Sequence, residues 1–247
     1  MSQIKRLRVF AGPNGSGKST LYDAFCENYN SGYFINSDLI EREITEKGFI
    51  DLSKFNVVSN QEELELFLTT KNAKTLLKKS EDRGYIIDIK IKENIIVDKP
   101  KKSHSYEASL ITSFIREKLF ESNQSFSFET VMSHFSKIEE LEFAKNNDYK
   151  VYFYFICLDD SELNISRVKN RVVQGGHDVD DAKIVERYGK TLENLLAAIK
   201  ISDRSFLFDN SNEMELIAET LNGELILHKD AEFLPNWFVQ YVINKII

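Results

Sequence analysis

The sequence is short of the residues that staple, stiffen or loosen a chain. Of its 247 residues, 2 are cysteine, 3 proline, 10 glycine and 1 tryptophan. Cys26 and Cys157 are too far apart to suggest a disulfide framework and too few to form a zinc site, so a reducing, cytoplasmic setting is expected. The low glycine and proline content excludes a fibre or a disordered tail. Long apolar runs are also missing. The longest, 151–158 (VYFYFICL), has the length of a strand and falls well below the roughly 18 residues of a membrane span. The opening MSQIKRLRVF leaves no room for the apolar core of a signal peptide, so no membrane partner is expected. Nor are basic residues in excess: 32 Lys+Arg face 39 Asp+Glu, a net charge of −7. Bulk charge therefore excludes a nucleic-acid coat, and any polyanion must be held by a local cationic site.

What is present is a globular α/β pattern, with 42% hydrophobic residues. Short apolar runs at 7–11, 33–35, 125–128, 151–158 and 205–208 alternate with segments of helical period, which predicts a parallel sheet with helices on its faces. The run 151–158 is apolar almost throughout and so belongs at the centre of the sheet. Two amphipathic helices are expected, one carrying Leu110, Ile111, Phe114, Ile115 and Leu119, the other Val185, Tyr188, Leu192, Leu195 and Ile199. The stretch 49–104 breaks the alternation. It reads as an insertion made of a polar loop, a helix over about 60–79, and a hairpin turning near 92–94. A second hairpin is expected at 219–227, turning at Asn222-Gly223, with a closing helix from Pro235. The expected organisation is one domain over 1–247, decorated by the insertion 49–104 and by a C-terminal hairpin and helix over 213–247.

The strongest motif is the P-loop, or Walker A, pattern G-x-x-x-x-G-K-[ST], met between a strand and a helix by Gly12, Pro13, Asn14, Gly15, Ser16, Gly17, Lys18, Ser19 and Thr20. Glycines let consecutive backbone N–H groups point at phosphates, and the helix N-terminus adds its positive dipole end. Lys18 is expected to reach the β- and γ-phosphates and Ser19 to hold Mg²⁺. The spacing is not that of a dinucleotide loop. No N-K-x-D guanine motif follows, so ATP is expected. The L-S-G-G-Q signature of transporter ATPases is absent as well.

Ligands of an open parallel sheet lie at the carboxyl ends of its strands, and there two carboxylates stand out. Asp38, in YFINSD, is the candidate to orient or accept a hydroxyl proton, and Asp38-Leu39-Ile40-Glu41 reads equally as a capping box. Glu129, in FSFET, is the candidate for substrate hydroxyls or the magnesium's water shell, with Thr130 and Ser133 beside it; here the competing reading is a helix cap by Thr130. Further on, Arg167 and Arg171 share a helix face, Gly175-Gly176 ends that helix, His177 follows, and Arg187 sits on the next. Arginines supplied from a lid stabilise the charge that spreads over a transferring phosphoryl group; solvated surface arginines are the alternative.

Taken in order, AGPNGSGKST, FINSD, SFSFETVMSH and RVKNRVVQGGHDVDDAKIVERYGKTLENL, ending in LFDNS, resemble the zeta toxin family of P-loop kinases, in particular its chromosomal branch. The likeness covers most of the chain outside about 49–104. It implies a P-loop kinase-like three-layer α/β/α sandwich and an ATP-dependent kinase acting on a small-molecule hydroxyl, with UDP-N-acetylglucosamine the acceptor of the best-understood members. By position it makes Lys18 the phosphate-binding lysine, Asp38 the base, Glu129 the start of the acceptor motif, and Arg167 and His177 parts of the γ-phosphate lid. It also brings an antitoxin protein into question as a partner. The sequence departs from the family pattern in three places. Asp180 replaces a proline, Glu186 replaces an arginine, and ETVMS stands where wall-directed toxins carry E-G-T-x-R, so their acceptor-gripping arginine is missing. The acceptor is therefore left open between a nucleotide-sugar and another metabolite. Two rivals stand: a nucleotide-switched ATPase using 49–104 as a partner surface, and a kinase for nucleic-acid ends, for which Lys99-Pro100-Lys101-Lys102 is the only hint.

Overall fold

Strand β1 (Arg6–Ala11) pairs in parallel with β7 (Lys150–Cys157), from Arg6 opposite Lys150 to Ala11 opposite Phe155, and β7 pairs in parallel with β8 (Arg204–Asp209) on its other side. In this computed structural model, which describes residues 4–98, 104–176, 178–221 and 223–246, β7 is thus the interior strand that its unbroken apolar run requires. The chain divides into two compact units, residues 1–31 with 127–247, and residues 32–126. The first unit holds the strand order β10-β9-β8-β7-β1-β6, where β6 is Phe126–Thr130. Its parallel centre carries an antiparallel flank of β9 (Glu215–Leu221) and β10 (Glu224–Leu227). These last two strands form the anticipated 219–227 hairpin. Of its turn residues, Asn222 lies outside the described residues.

Alternation along the strands builds a different core on each face. On one face Phe10, Tyr154 and Phe206 stack across β1, β7 and β8 at 4.8 and 5.0 Å, and helix α1 (Lys18–Cys26) lays Tyr22 and Phe25 on Phe10. On the other, Val9, Phe153 and Phe155 are buried, with α6 (Ser136–Asn146) and α8 (Asp181–Ile201) packed on β7 and Trp237 against Phe155. The result is the three-layer α/β/α arrangement with a mostly parallel sheet that the sequence implied. In the first turn of α8 it is Ile184 that is buried, whereas Val185, expected in the apolar stripe, is exposed. The closing helix begins as expected, at α9 (Asn236–Phe238), and continues through a π-helical turn, Val239–Ile243, into α10 (Asn244–Ile246). Among the described residues no helix is long and apolar enough to cross a membrane.

The second unit is built on α5 (Ser105–Glu121), whose Leu110, Ile111, Phe114, Ile115 and Leu119 are all buried. Packed on it are α2 (Ser37–Lys47) and α4 (Lys71–Glu81). The helix expected over 60–79 is two helices, α3 (Gln61–Leu68) and α4. The chain breaks between them because Thr70 turns extended and its hydroxyl accepts from Ala73 N to cap α4. The hairpin of β4 (Ile89–Lys92) and β5 (Ile95–Asp98) turns at Glu93 and Asn94, both at positive φ, as a two-residue hairpin needs. A third strand, β3 (Phe49–Asp51), lies in what reads as a polar loop and makes the sheet β3-β5-β4. Among its described residues the stretch is therefore built of helices and a small sheet. The compact unit runs from 32 to 126, taking in α2 and α5 as well.

Candidate functional site

The phosphate loop leaves β1 at Ala11 and opens α1 at Lys18, so the carboxyl end of a central strand delivers the chain directly to a helix N-terminus. Two glycines are sterically required. Gly12 has φ +150°, and a Cβ there would stand 2.0 Å from the Ile156 carbonyl oxygen, backbone that cannot move aside. Gly17 caps α1 at φ +104°, and a Cβ there would meet Asn210 Nδ2 at 2.6 Å. Gly12 N also donates to Thr130 O, which ties the start of the loop to the end of β6 (Phe126–Thr130).

Side chains from distant parts of the chain hold the loop from outside. Asn164 Nδ2 donates to Asn14 O at 2.6 Å, and Asn210 Nδ2 donates to Ser16 O at 2.8 Å. Arg167, on α7 (Ser161–Val173), donates to Asn210 O at 2.7 Å. Neither asparagine was singled out from sequence. In sequence Asn164 stands beside Ile165 in the apolar stripe of α7, where an amide is out of place, and Asn210 falls in the LFDNS run; in the fold Asn164 is wholly buried. Among the described residues Asn14 Oδ1, Ser16 Oγ and Asn164 Oδ1 are buried without a hydrogen-bond partner, so polar capacity is left over around the loop.

At the mouth of the loop three side chains meet. Lys18 Nζ donates to Pro13 O at 2.9 Å and lies 3.8 Å from Glu129 Oε1, and Ser19 Oγ donates to Glu129 Oε2 at 3.0 Å. A hydroxyl and a carboxylate oxygen side by side form the hard donor set that suits Mg²⁺, so the residues present fit that ion. Thr20, next in α1, is exposed. The turn after β6 is unusual. Thr130 Oγ1 accepts from Met132 N, so Thr130 caps no helix and α6 begins only at Ser136. Ser133 is half-buried directly after it.

Arg167 and Arg171 lie one turn apart on α7, which packs on α8 through Ile165, Val168 and Ile184. Arg167 is half-buried with its guanidinium on the loop scaffold, whereas Arg171 is exposed. Gly175, at φ +88°, follows the helix end as expected. Arg187 is half-buried on α8, and Asp180, standing in the place of a proline, caps that helix by accepting from Lys183 N. His177 lies outside the described residues, as do Lys99, Pro100, Lys101 and Lys102. Cys157 is fully buried at the end of β7, and burial pushes its thiol well up, so it is inert.

Asp38 belongs to the second unit. It is not the cap of α2: Asn36 fills that position, its Oδ1 accepting from Asp38 N at 2.8 Å and Leu39 N at 3.2 Å. The Asp38 carboxylate is exposed in the first turn and plays no part in that cap.

A P-loop opening a helix at the carboxyl end of a mostly parallel sheet, with a carboxylate on the neighbouring strand, defines the P-loop kinase-like class of nucleotide-binding fold. Comparison with known proteins agrees on the fold. The AvrRxo1-ORF1:AvrRxo1-ORF2 structure with sulphate ions matches 94% of this chain and 62% of its own at 14% identity, with a TM-score of 0.57. The AvrRxo1-ORF1:-ORF2 structure with ATP matches 92% and 61% at 13% identity, with a TM-score of 0.53. This chain thus spans less than two thirds of those it matches. A structure of the PezAT chromosomal toxin-antitoxin system of Streptococcus pneumoniae is more distant, with a TM-score of 0.44 over 87% of this chain and 71% of that one at 13% identity. In sequence, 63 residues, 26% of the chain, are 33% identical to 45% of an uncharacterized protein of Haemophilus influenzae. No family model matches.

Proposed function

We propose that the protein is an ATP-dependent kinase of the zeta toxin type, transferring the γ-phosphate to a hydroxyl of a small molecule, with nucleotide-sugars and related metabolites as the acceptor class. The observation that carries this reading is the meeting of Lys18, Ser19 and Glu129 at the mouth of a loop braced by Asn164, Asn210 and Arg167. In this role Lys18 exchanges Pro13 O for phosphate oxygens, and Ser19 and Glu129 hold Mg²⁺ directly or through its water. When bound, the ion would neutralise negative charge on the phosphates. Arg167, Arg171, Arg187 and His177 supply the remaining positive charge around the γ-phosphate. The acceptor oxygen attacks phosphorus, the bond to the β-phosphate oxygen breaks to release ADP, and the hydroxyl proton passes to Asp38. Glu129, Thr130 and Ser133 position the acceptor.

The AvrRxo1-ORF1:-ORF2 structure with ATP supports a nucleotide ligand, and its pairing of two ORF products supports an antitoxin-like protein partner for this chain. Cytoplasmic residence follows from the same reading. The test is an untargeted metabolite pool incubated with γ-labelled ATP. Label should enter a metabolite with wild-type protein and stay in ATP with Lys18→Ala. Asp38→Ala should reduce transfer at least 100-fold; transfer at the wild-type rate removes Asp38 as base. Release of free phosphate with no labelled acceptor would replace the kinase reading by a nucleotide-switched ATPase.

A further inference from the structure

The turn after β6 is held by a helix that comes from 60 residues further along the chain. Thr191 Oγ1, on α8, donates to Val131 O at 2.7 Å, and Asn194 Nδ2, one turn on, donates to Met132 O at 2.9 Å. Thr191 is wholly buried, Asn194 is half-buried, and Met132 is buried at φ +64°, a left-handed conformation that a long side chain adopts only when its surroundings impose it. A buried carbonyl has to find a donor. Here both carbonyls of the strained turn find theirs on α8, and the Thr130 hydroxyl takes the turn's own Met132 N–H. The same helix is pinned to the sheet one turn earlier, where Tyr188 OH donates to Leu158 O at 2.8 Å.

The turn so held separates two groups of the candidate site. Glu129, before it, accepts from Ser19 and faces Lys18, and Ser133 follows it. Thr130 O, at the start of the turn, accepts from Gly12 N. None of the α8 side chains in this clamp contacts Lys18, Ser19 or Glu129 among the hydrogen bonds and ion pairs described. They can act on the site only by placing the turn.

We infer that Thr191 and Asn194 are positioning residues for the metal-nucleotide site: by clamping the carbonyls of Val131 and Met132 they hold the strained turn that fixes where the Glu129 carboxylate meets Ser19. This rests on the kinase reading in one respect, the assignment of Ser19 and Glu129 to the metal. An asparagine and a threonine three residues apart on one helix face, each spent on one of two consecutive carbonyls, differ from ordinary helix-surface polarity in that both donors point at a backbone held in a disfavoured conformation.

The test compares Thr191→Val, Asn194→Ala, Thr191→Ser and Glu129→Gln, all confirmed folded by their circular dichroism and melting. Three quantities are read: Mn²⁺ affinity in the presence of ATP by electron paramagnetic resonance, ATP affinity in excess chelator by calorimetry, and hydrogen exchange at the Met132 and Ser133 amides. Thr191→Val and Asn194→Ala should each weaken Mn²⁺ binding about 5- to 10-fold, leave metal-free ATP binding within twofold, and speed exchange at 132–133, while Thr191→Ser restores wild-type values. A purely structural role lowers the melting temperature and leaves the Mn²⁺ affinity unmoved; that result overturns the inference, and Asn194→Ala, at a half-buried position, delivers it if Thr191→Val does not fold. Glu129→Gln separates the layers. If it leaves Mn²⁺ affinity intact, the metal assignment fails and the inference falls with it; if it weakens Mn²⁺ binding while the α8 variants do not, only the clamp is wrong.

Discussion

Around the phosphate loop, neutral amides and a hydroxyl are aimed at backbone carbonyls, Asn164 at Asn14, Asn210 at Ser16 and Thr191 at Val131, beside the one buried charge of Lys18 among the described residues of the loop. The second unit buries a cluster of titratable side chains. Asp98 and Glu107 are 2% and 1% exposed, and His104 lies with them, its Nδ1 accepting from Glu107 N as the cap of α5. Burial, with the neighbouring Asp98 carboxyl adding to it, pushes the Glu107 carboxyl up to about 8, and burial holds the His104 imidazole below its usual value. The difference teaches where each unit is vulnerable. Neutral donors on carbonyls hold their geometry at any ordinary pH, whereas a buried acid is stable only while it keeps its proton.

The largest effect is expected at the phosphate loop from sterics alone. Gly12→Ala drives a methyl against the Ile156 carbonyl and should cost about 3 kcal/mol or more in urea denaturation, with ATP binding lost. Next is Asn210→Ala, which orphans Ser16 O. A loss of about 1–3 kcal/mol and roughly tenfold weaker ATP binding by calorimetry are expected, equally at pH 6 and pH 8. A pH-dependent deficit would show that the loop does not rest on neutral contacts.

The second unit should supply the pH dependence. Glu107 titrates higher in the fold than its ordinary 4.5, so the native state binds the extra proton. Its contribution to stability is complete below about pH 4.5 and declines as pH rises through about 8. Glu107→Gln, which keeps the neutral shape, should flatten the fall in melting temperature between pH 5 and 8; an unchanged slope would place the titration elsewhere. The smallest effect is at the C-terminal segment. Trp237 Nε1 donates to Asp209 at 2.9 Å, one residue before the Asn210 that holds the loop. Trp237→Phe should cost about 1 kcal/mol. In the unaltered protein this single tryptophan should change its fluorescence when ATP binds, a change that Lys18→Ala abolishes.

Much of the fold was legible because it is written in short-range pattern. The apolar run 151–158, the glycine loop between strand and helix, and the two-residue turns each carry their own reason to fold as they do. The misreadings came where a neighbour outranked the pattern. Asn36 fills the cap that was one of two readings of Asp38, because it sits one residue before the helix, where its amide oxygen reaches two N–H groups. Thr70 divided a helix whose apolar period runs on across the break, and β3 exists only because β5 offers it an edge.

For the site, the candidates to bind phosphate and metal are readable in one dimension: a backbone loop, Lys18, Ser19 and a carboxylate at the end of a strand. Tertiary structure decided how they are held. Glu129 meets Ser19 across 110 residues, Asn164 meets Asn14 across 150, and Asn210 meets Ser16 across 194. A side-chain amide or hydroxyl carries no mark in sequence of which distant carbonyl it will satisfy. That choice is made only when the packed sheet brings the unpaired carbonyl within reach and burial makes leaving it unpaired costly.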